Sequence, residues 1–371
     1  TFNVSTVEEL QPAIDTAVPG AEVVLATGDY QLAGTLYVTN GVTVRSATGN
    51  PGDVQILGGY NLSPRVRFTA VNVSGAGSTL ASVTVAKGYG LQSGNDTPGG
   101  VWMGEGTVVS NCCVKDNVCT AYWLRGAGIH NEGGRVSDSV ISGNKNEWDR
   151  AHAVGYYQTA GKVERTQIVS NSCASIGMVY EFSVYPTAIG ACLSGGTMEN
   201  CLVADNTIGK INITTTTTRI GMGATFDGMS KAINSLFCNN TYAGETTVDV
   251  QGVKRLGLAT VENCAILGNG KADGTLIKDM VGDASFDHCA ADDVTDCTDS
   301  IPATYGACYR RDRKTGLLKH MPGSPLIDKG KSQPDLEAGV DLVLRPRLHG
   351  KAIDIGPFEC PGIPGFGIIL R

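Results

Sequence analysis

The sequence is poor in charge, aromatic residues and long apolar runs, and each shortage excludes a class of protein. Charged residues make up 18% of the 371 residues, aromatic residues make up 6%, and the net charge is −7. The negative net charge argues against nucleic acid as a partner. No stretch of eighteen apolar residues occurs, so no transmembrane segment is predicted. The twelve cysteines include no Cys-x-x-Cys pair, which argues against a zinc or iron–sulfur site.

What the sequence does have is a repeated seven-residue segment, called the phrase below, which ends in an aliphatic residue, two small or polar residues and Asn. Its six clear copies end at Asn117, Asn144, Asn171, Asn206, Asn240 and Asn269. Successive copies are separated by 27, 27, 35, 34 and 29 residues, and a degraded copy covers 288–294. A period of this size is typical of stacked structural repeats.

The residues inside each phrase predict two short strands that meet at a polar corner. Alternate residues such as Cys112 and Val114, or Ser139 and Ile141, fall on one face of a strand. The helical spacing of three and four is absent. The 49 glycines suit a chain with many corners. We therefore predict an all-β fold, a right-handed parallel β-helix in which each terminal Asn bonds the same amide on the next coil.

Both ends of the solenoid are expected to carry caps, because a terminal coil exposes unpaired backbone. Ser5-Thr6-Val7-Glu8 reads as a capping box that opens a short amphipathic helix, kinked at Pro12. Residues 1–300 are predicted to form the β-helix, with an N-terminal cap over about 1–20, and residues 301–371 an irregular C-terminal cap. In that cap Arg345 or Arg347 could pair with an aspartate. The candidate partners are Asp328, Asp341 and Asp354.

No cofactor is predicted, apart from a possible calcium ion on these clustered aspartates. The cysteines divide into two groups. Those in the inward slot of the phrase are expected to be buried thiols, and they are Cys112, Cys201, Cys264 and Cys289. Among those outside it, the better candidates for disulfides are Cys113, Cys119, Cys297, Cys308 and Cys360. So many cysteines favour an extracellular location.

Three segments resemble known families. Gly126-Ala127-Gly128-Ile129 followed by Ile141-x-x-Asn144 resembles the paired motifs of polymorphic outer-membrane proteins, and the helix-capped opening is similar to pectate-lyase-like (pectin-lyase-like) β-helices. Ser324-Pro325-Leu326-Ile327-Asp328 with Asp354-Ile355-Gly356-Pro357-Phe358-Glu359 resembles the tail of choice-of-anchor Q surface proteins. These resemblances imply a bacterial protein that is secreted or held at the cell surface.

Counting back from the terminal Asn assigns residues of different coils to common rows. Fourteen residues before it lie Met103, His130, Tyr157 and Cys192, and nineteen before it lie Arg125 and His152. Twenty-one before it lie Trp123 and Arg150, and the same count in the next coil gives Tyr185. Trp148, Asp149 and Tyr156 are close by in the sequence, and the longest coils add Tyr180, Glu181 and Arg219. These residues are expected to line one flank.

Aromatic rings beside arginine suit an oligosaccharide, especially an anionic one. One hypothesis is a non-catalytic surface protein with an adhesive, scaffolding or glycan-binding role, which could self-associate. Its expected substrate-binding residues are Trp123, Arg125, Trp148, Tyr156, Tyr180, Tyr185 and Arg219. The alternative is a polysaccharide lyase or glycoside hydrolase, and the sequence leaves open whether the protein is an enzyme.

The alternative hypothesis assigns catalytic roles to residues of this flank. In a lyase, Arg150 or Arg125 would neutralise the substrate carboxylate, His152 or His130 would be the base, and Tyr157 the acid. A hydrolase would use two carboxylates across the sugar, for which Asp149 and Glu181 are the nearest candidates.

Overall fold

The computed structural model describes residues 1–90, 97–120, 124–147, 151–175, 188–211, 219–243, 249–279, 286–293, 297–311 and 318–360. In these residues three sheets run along the molecule, and neighbouring strands come mostly from successive coils. Val140–Ser142, for example, pairs in parallel with Cys113–Lys115 on one side and Gln167–Val169 on the other. This arrangement is the predicted right-handed parallel β-helix.

The strands are grouped here by sheet. Sheet 1 contains Phe2–Val4, Glu22–Leu25, Leu36–Val38, Thr43–Ser46, Val71–Val73, Thr79–Ala81, Val101–Met103, Val108–Ser110, Ile129–Ser137, Tyr156–Glu164, Ala191–Leu193, Thr197–Glu199, Arg219–Phe226, Lys231–Ile233, Asp249–Arg255, Thr260–Glu262 and Phe286–Asp287. Sheet 2 contains Gly28–Gln31, Val54–Leu57, Thr84–Ala86, Cys113–Lys115, Val140–Ser142, Gln167–Val169, Leu202–Ala204, Leu236–Cys238, Ala265–Leu267, Ala290–Ala291 and Ile301–Pro302. Sheet 3 contains Val118–Cys119, Lys145–Asn146, Ser172–Cys173, Thr207–Ile208, Thr241–Tyr242 and Gly270–Lys271.

Two smaller sheets and five short helical segments complete the described elements. Leu124–Arg125 pairs with Ala151–Ala153, and Tyr309–Arg311 forms an antiparallel hairpin with Leu318–His320. The α-helices are Val7–Thr16, Tyr305–Cys308 and Pro334–Glu337, and the 3-10 helices are Pro51–Asp53 and Gly59–Asn61. None of these helices is long and apolar enough to cross a membrane.

The helix Val7–Thr16 confirms the predicted N-terminal cap, with its capping box one residue later than expected. Glu9, not Glu8, closes the box by accepting bonds from the backbone N–H of Ser5 at 2.9 Å and Thr6 at 3.2 Å. The helix continues through Pro12 and ends at Thr16. Its buried face, Leu10 and Ile14, packs on the first coil.

The terminal asparagines form the predicted ladder inside the coil. Each is fully buried, and the Nδ2 of Asn117, Asn144, Asn171, Asn206 and Asn240 donates to the Oδ1 of the next at 2.8–3.0 Å. The last amide, Asn269, donates to Asp279 Oδ1 at 3.0 Å, and burial raises the pKa of that carboxyl group. The ladder satisfies polar groups that would otherwise be costly to bury.

The polar corners adopt a left-handed backbone conformation. Their φ angles lie between 43° and 53°, and the residues are Asn111, Asp138, Arg165, Asn200, Asn234 and Asn263. At the second corner the left-handed residue is the one before the terminal Asn, for example Asp116 and Asp205. The terminal Asn is therefore placed there for its side-chain hydrogen bonds and not for its φ angle.

Sheet 1 bends once in each coil, and we name its two halves the first run and the second run. In the coil of Ile129–Ser137 the first run is 129–131 and the second is 135–137.

The outer face of the second run carries a network of ion pairs. Lys162 bridges Glu164 and Glu199 at 2.7 Å each. Burial raises the pKa of Glu164, but the contacts with Lys162 and Arg135 outweigh it and lower this pKa to about 2.

The C-terminal segment packs along the side of the coil, over the outer face of sheet 2. Leu202, Leu236, Ala265 and Ala290 of that face are buried in one apolar cluster with C-terminal residues. The C-terminal members include Tyr309, Leu318, Leu326, Ile355 and Phe358. The predicted terminal cap is therefore, in its described part, a strap over several coils.

Of the arginine–aspartate pairs expected in this segment, the one between Arg345 and Asp341 is present. Arg345 Nε lies 3.1 Å from Asp341 Oδ2. Arg347, which is 1% exposed, donates to the backbone oxygen of Asp354 at 2.9 Å, and its Nε is 3.8 Å from Glu359. Because Asp341 and Asp354 also accept backbone N–H groups, their carboxylates hold the strap together. Calcium binding at these aspartates stays a prediction.

No disulfide bond joins the described cysteines, so the expected bridges are not supported. The four cysteines predicted to fill the inward slot are buried in the core as expected. Burial raises the pKa of Cys112 and Cys201 to about 12, which makes them neutral thiols at physiological pH.

Candidate functional site

The outward-facing residues of the first run form one row along the molecule. Strand register aligns Tyr37, Asn72, Trp102, His130, Tyr157, Cys192, Thr225 and Lys254. The row begins in the open, where Tyr37 is 50% exposed and Asn72 and Trp102 are partly exposed. From His130 onward each residue is at most 6% exposed. The row therefore passes from an open surface into a covered recess.

The cover over the recess comes from the chain that precedes each first run. Ala153, from the two-stranded sheet beside the row, packs with Ala188 against Tyr157 and Cys192. Both alanines lie between the sheet 3 strand and the first run of their own coil. The segments around them form a wall beside the first run.

Four residues meet where the wall begins, and we name Arg125, His130, Glu132 and Tyr157 the Arg125 cluster. The Arg125 guanidinium carbon lies 5.5 Å from the centre of the Tyr157 ring. The Tyr157 and His130 rings meet edge to face at 5.2 Å, and His130 Nε2 is 3.5 Å from Glu132 Oε1. The cluster combines a cation over a ring, an imidazole and a carboxylate.

Access to this cluster is through its outer members. Arg125 is partly exposed and the side chain of Glu132 is 39% exposed, whereas His130 is fully buried and Tyr157 is 6% exposed. A ligand on the surface would therefore touch the guanidinium and the carboxylate first. The next residue of the row, Cys192, is a neutral thiol because burial raises its pKa.

Tyr156 lies on the opposite face of the strand from the row. Its side chain is fully buried in the core, where its hydroxyl donates to Gln158 Oε1 at 2.6 Å and accepts from Asn131 Nδ2 at 2.9 Å. Burial also raises the pKa of this hydroxyl. Tyr156 is therefore a structural core residue, and its side chain does not reach a ligand on the surface.

Several predicted site residues lie outside the described residues, and these are Trp123, Trp148, Asp149, Arg150, Tyr180, Glu181 and Tyr185. His152 and Arg219 lie in strands whose backbone is placed. Their catalytic and binding roles stay predictions, as do those of His130, Tyr157 and Arg125.

Two of the predicted rows are displaced by one residue. Trp102, not Met103, aligns with His130, because the corner after Met103 holds four residues where the next coil holds three. Arg125 aligns with Ala153, not His152, because the register shifts between Leu124 and Arg125. Counting from a single Asn cannot detect such local insertions.

Sequence reasoning missed three residues of this region: Trp102, Glu132 and Lys254. Trp102 and Lys254 belong to the row, and Lys254 is only 2% exposed. Aligning each coil on the start of its first run, where Val101, Ile129 and Val253 are buried, would have found both.

Among the described residues, Asp287, His288 and Asp299 also approach closely enough to hold a metal ion, near the last coil.

Comparison with solved structures identifies the fold. The crystal structure of pectate lyase Pel9A matches with a TM-score of 0.53 and 14% identity, over 94% of this chain and 90% of its own. An alginate lyase from Paenibacillus sp. str. FPU-7 matches with a TM-score of 0.32 and 14% identity, over 75% and 97% respectively. The sequence matches no protein-family model and no curated relative. The chain thus has a pectate-lyase-like parallel β-helix fold.

Proposed function

We propose that this protein binds an anionic polysaccharide outside the cell, as a secreted or surface-attached protein that does not cleave its ligand. The observation that carries the proposal is the Arg125 cluster, a partly exposed guanidinium where the open row meets the wall. An arginine can bind a uronate or sulfate through paired hydrogen bonds. The structural likeness to pectate lyase Pel9A supports a polysaccharide as the ligand class.

Burial favours binding over cleavage. A catalytic base must come within hydrogen-bond reach of the proton that it removes. His130 is fully buried and Tyr157 is 6% exposed, so neither reaches a chain that lies on the surface. Lys254 is three coils beyond Tyr157 in the row, which is about 14 Å at the usual strand spacing. It is too distant to act on the same bond as the Arg125 cluster.

Cleavage by a lyase is the second candidate, and the contact between His130 and Glu132 favours it. The carboxylate, 3.5 Å from Nε2, would stabilise a protonated imidazole after proton removal, while Arg125 neutralised the uronate. This mechanism requires a movement of the wall that opens His130 to the substrate.

Affinity electrophoresis and calorimetry with polygalacturonate, alginate, sulfated glycans and neutral glycans would test the proposal. We expect retention by at least one anionic polymer, and roughly tenfold weaker binding by Arg125→Ala. Arg310→Ala is the matched control, because it removes the same charge from an exposed position of the C-terminal hairpin.

The same mixtures would be followed by absorbance of unsaturated sugar ends and by release of reducing ends. Binding without product supports the proposal. Product that disappears in His130→Ala would replace it with the lyase function, and no binding to any polymer would contradict both.

A further inference from the structure

The open end of the row has the features of a binding surface for uncharged sugar rings. It consists of Tyr37, Asn72 and Trp102, which we name the platform. One residue comes from each of three successive coils, so the backbone positions of the two aromatic residues are about 9.6 Å apart at the usual strand spacing. That distance is comparable with the length of a disaccharide.

The platform rests on a rigid base. The inward neighbours of its three residues are buried at 3% exposure or less, and they are Leu36, Val38, Val71, Val73, Val101 and Met103. A surface whose backbone is fixed by a packed core loses little entropy on binding.

The N-terminal helix fixes the first platform residue. The side chain of Gln11 occupies the position of a neighbouring strand, because it accepts from Tyr37 N at 2.9 Å and donates to Tyr37 O at 3.1 Å. The cap thus completes the hydrogen bonding of the edge strand and leaves the ring of Tyr37 50% exposed.

A glycine lies beside the second aromatic ring. A Cβ atom at Gly104 would lie 3.4 Å from two ring atoms of Trp102. The ring therefore lies over the corner of its coil. Gly104 has no side chain there that would cover the ring. A partly exposed indole held against the surface can stack on the apolar face of a sugar ring.

Asn72 supplies a polar group between the two rings. Its Oδ1 has no hydrogen-bond partner among the described residues, although the atom is shielded from solvent. Buried polar atoms in native proteins nearly always have a partner. Rotation of the amide about its last side-chain bond presents either a donor or an acceptor to a ligand, which suits a sugar hydroxyl.

We infer that the platform binds two sugar rings of a polysaccharide, one stacked on Tyr37 and one on Trp102, with a hydroxyl bonded to Asn72. The platform has no charged side chain, so it recognises the sugar face and not an acid group. Trp102 is adjacent to His130 in the row, so the same chain continues to the Arg125 cluster. This inference rests on the proposed function and adds a second, charge-independent subsite to it.

The test uses the full chain and the polysaccharide that the wild type retains, together with uncharged oligosaccharides of the same linkage. Trp102→Ala and Tyr37→Ala should each weaken binding roughly tenfold, and Trp102→Tyr should keep most of the affinity. Arg310→Ala should bind as the wild type does. Circular dichroism and the Tm of each variant show whether the fold is retained. Arg125→Ala should affect only the anionic ligand, whereas the platform variants should affect both.

The outcomes separate this inference from the proposed function. If the wild type binds and both platform variants match it, the platform is not a subsite while the proposed function stands. If the wild type binds no glycan, both are refuted. If light scattering shows that Trp102→Ala dissociates a dimer without changing glycan affinity, the platform is an interface between two copies and the inference is wrong.

Discussion

Replacing Asn171 by alanine tests whether the asparagine ladder holds the coils together. Its side chain makes four hydrogen bonds, accepting from the backbone N–H and Nδ2 of Asn144 and donating to Asn206 Oδ1 and to the carbonyl oxygen of Ile141. All four are buried and lie between 2.9 and 3.1 Å. At about 1 kcal/mol for each bond, we expect a loss of about 4 kcal/mol in the free energy of unfolding.

Urea unfolding followed by circular dichroism would measure this loss. Solenoids need not unfold in two states, so hydrogen exchange at the Asn144 amide gives a local measurement. That amide donates to Asn171 Oδ1 at 3.0 Å and should lose protection in the variant. The control is Asn61→Ala, at an exposed position, with an expected change within about 0.5 kcal/mol.

The reasoning fails if Asn171→Ala loses less than about 1 kcal/mol and the Asn144 amide stays protected. Asn171→Asp is a stricter variant, because it keeps the acceptor but replaces the donor by a buried carboxyl group. Burial would raise the pKa of that group above its unfolded value, so this variant should become less stable as the pH rises from 4 to 7.

Two further predictions concern the core and the strap. Val203 is fully buried and lies in register between Ile168 and Phe237. Val203→Asp places an unpaired charge in the core and should unfold the coil. Val18→Asp, at a position that is 69% exposed, should leave the coil folded, and thermal melts would measure both. Burial raises the pKa of Glu359 to about 8, above its unfolded value near 4.3, so its contribution to stability should fall as the pH rises from about 5 through 8. Glu359→Gln should flatten the profile of Tm against pH in that window, and at a pH above 8 its Tm should be higher than that of the wild type. Parallel profiles for wild type and variant would contradict this. Glu8→Gln, at an exposed position, is the control.

The coil was predictable because its repeated residues satisfy local and periodic requirements. The polar corners at Asn111 and Asn263, the inward Val114 and Ile141 and the amide ladder all follow from residue type and spacing. The row of site residues was less predictable, because one additional residue in the corner after Met103 displaces every earlier residue of that coil when positions are counted back from Asn117. Side chains of a strand alternate between its two faces, so a shift of one residue assigns each side chain to the wrong face.

The burial of the predicted site residues could not be read from the sequence. His130 and Tyr157 occupy outward positions of a strand, which usually face solvent. Both are buried, and the wall residues Ala153 and Ala188 pack against Tyr157. The second-run ion pairs were also missed, since Lys162 and Glu199 come together only when successive coils stack in register.

The sequence by itself determined that this chain coils, where each coil turns and which side chains fill it, because those properties repeat with a short period and depend on local geometry. Only the tertiary structure decided what covers the coil. The strap over sheet 2 and the wall over the first run are non-repeating segments, and their positions depend on contacts between residues far apart in the chain. Those segments leave Tyr37, Asn72 and Trp102 open and cover His130, because the wall begins beside the coil of Ile129–Ser137.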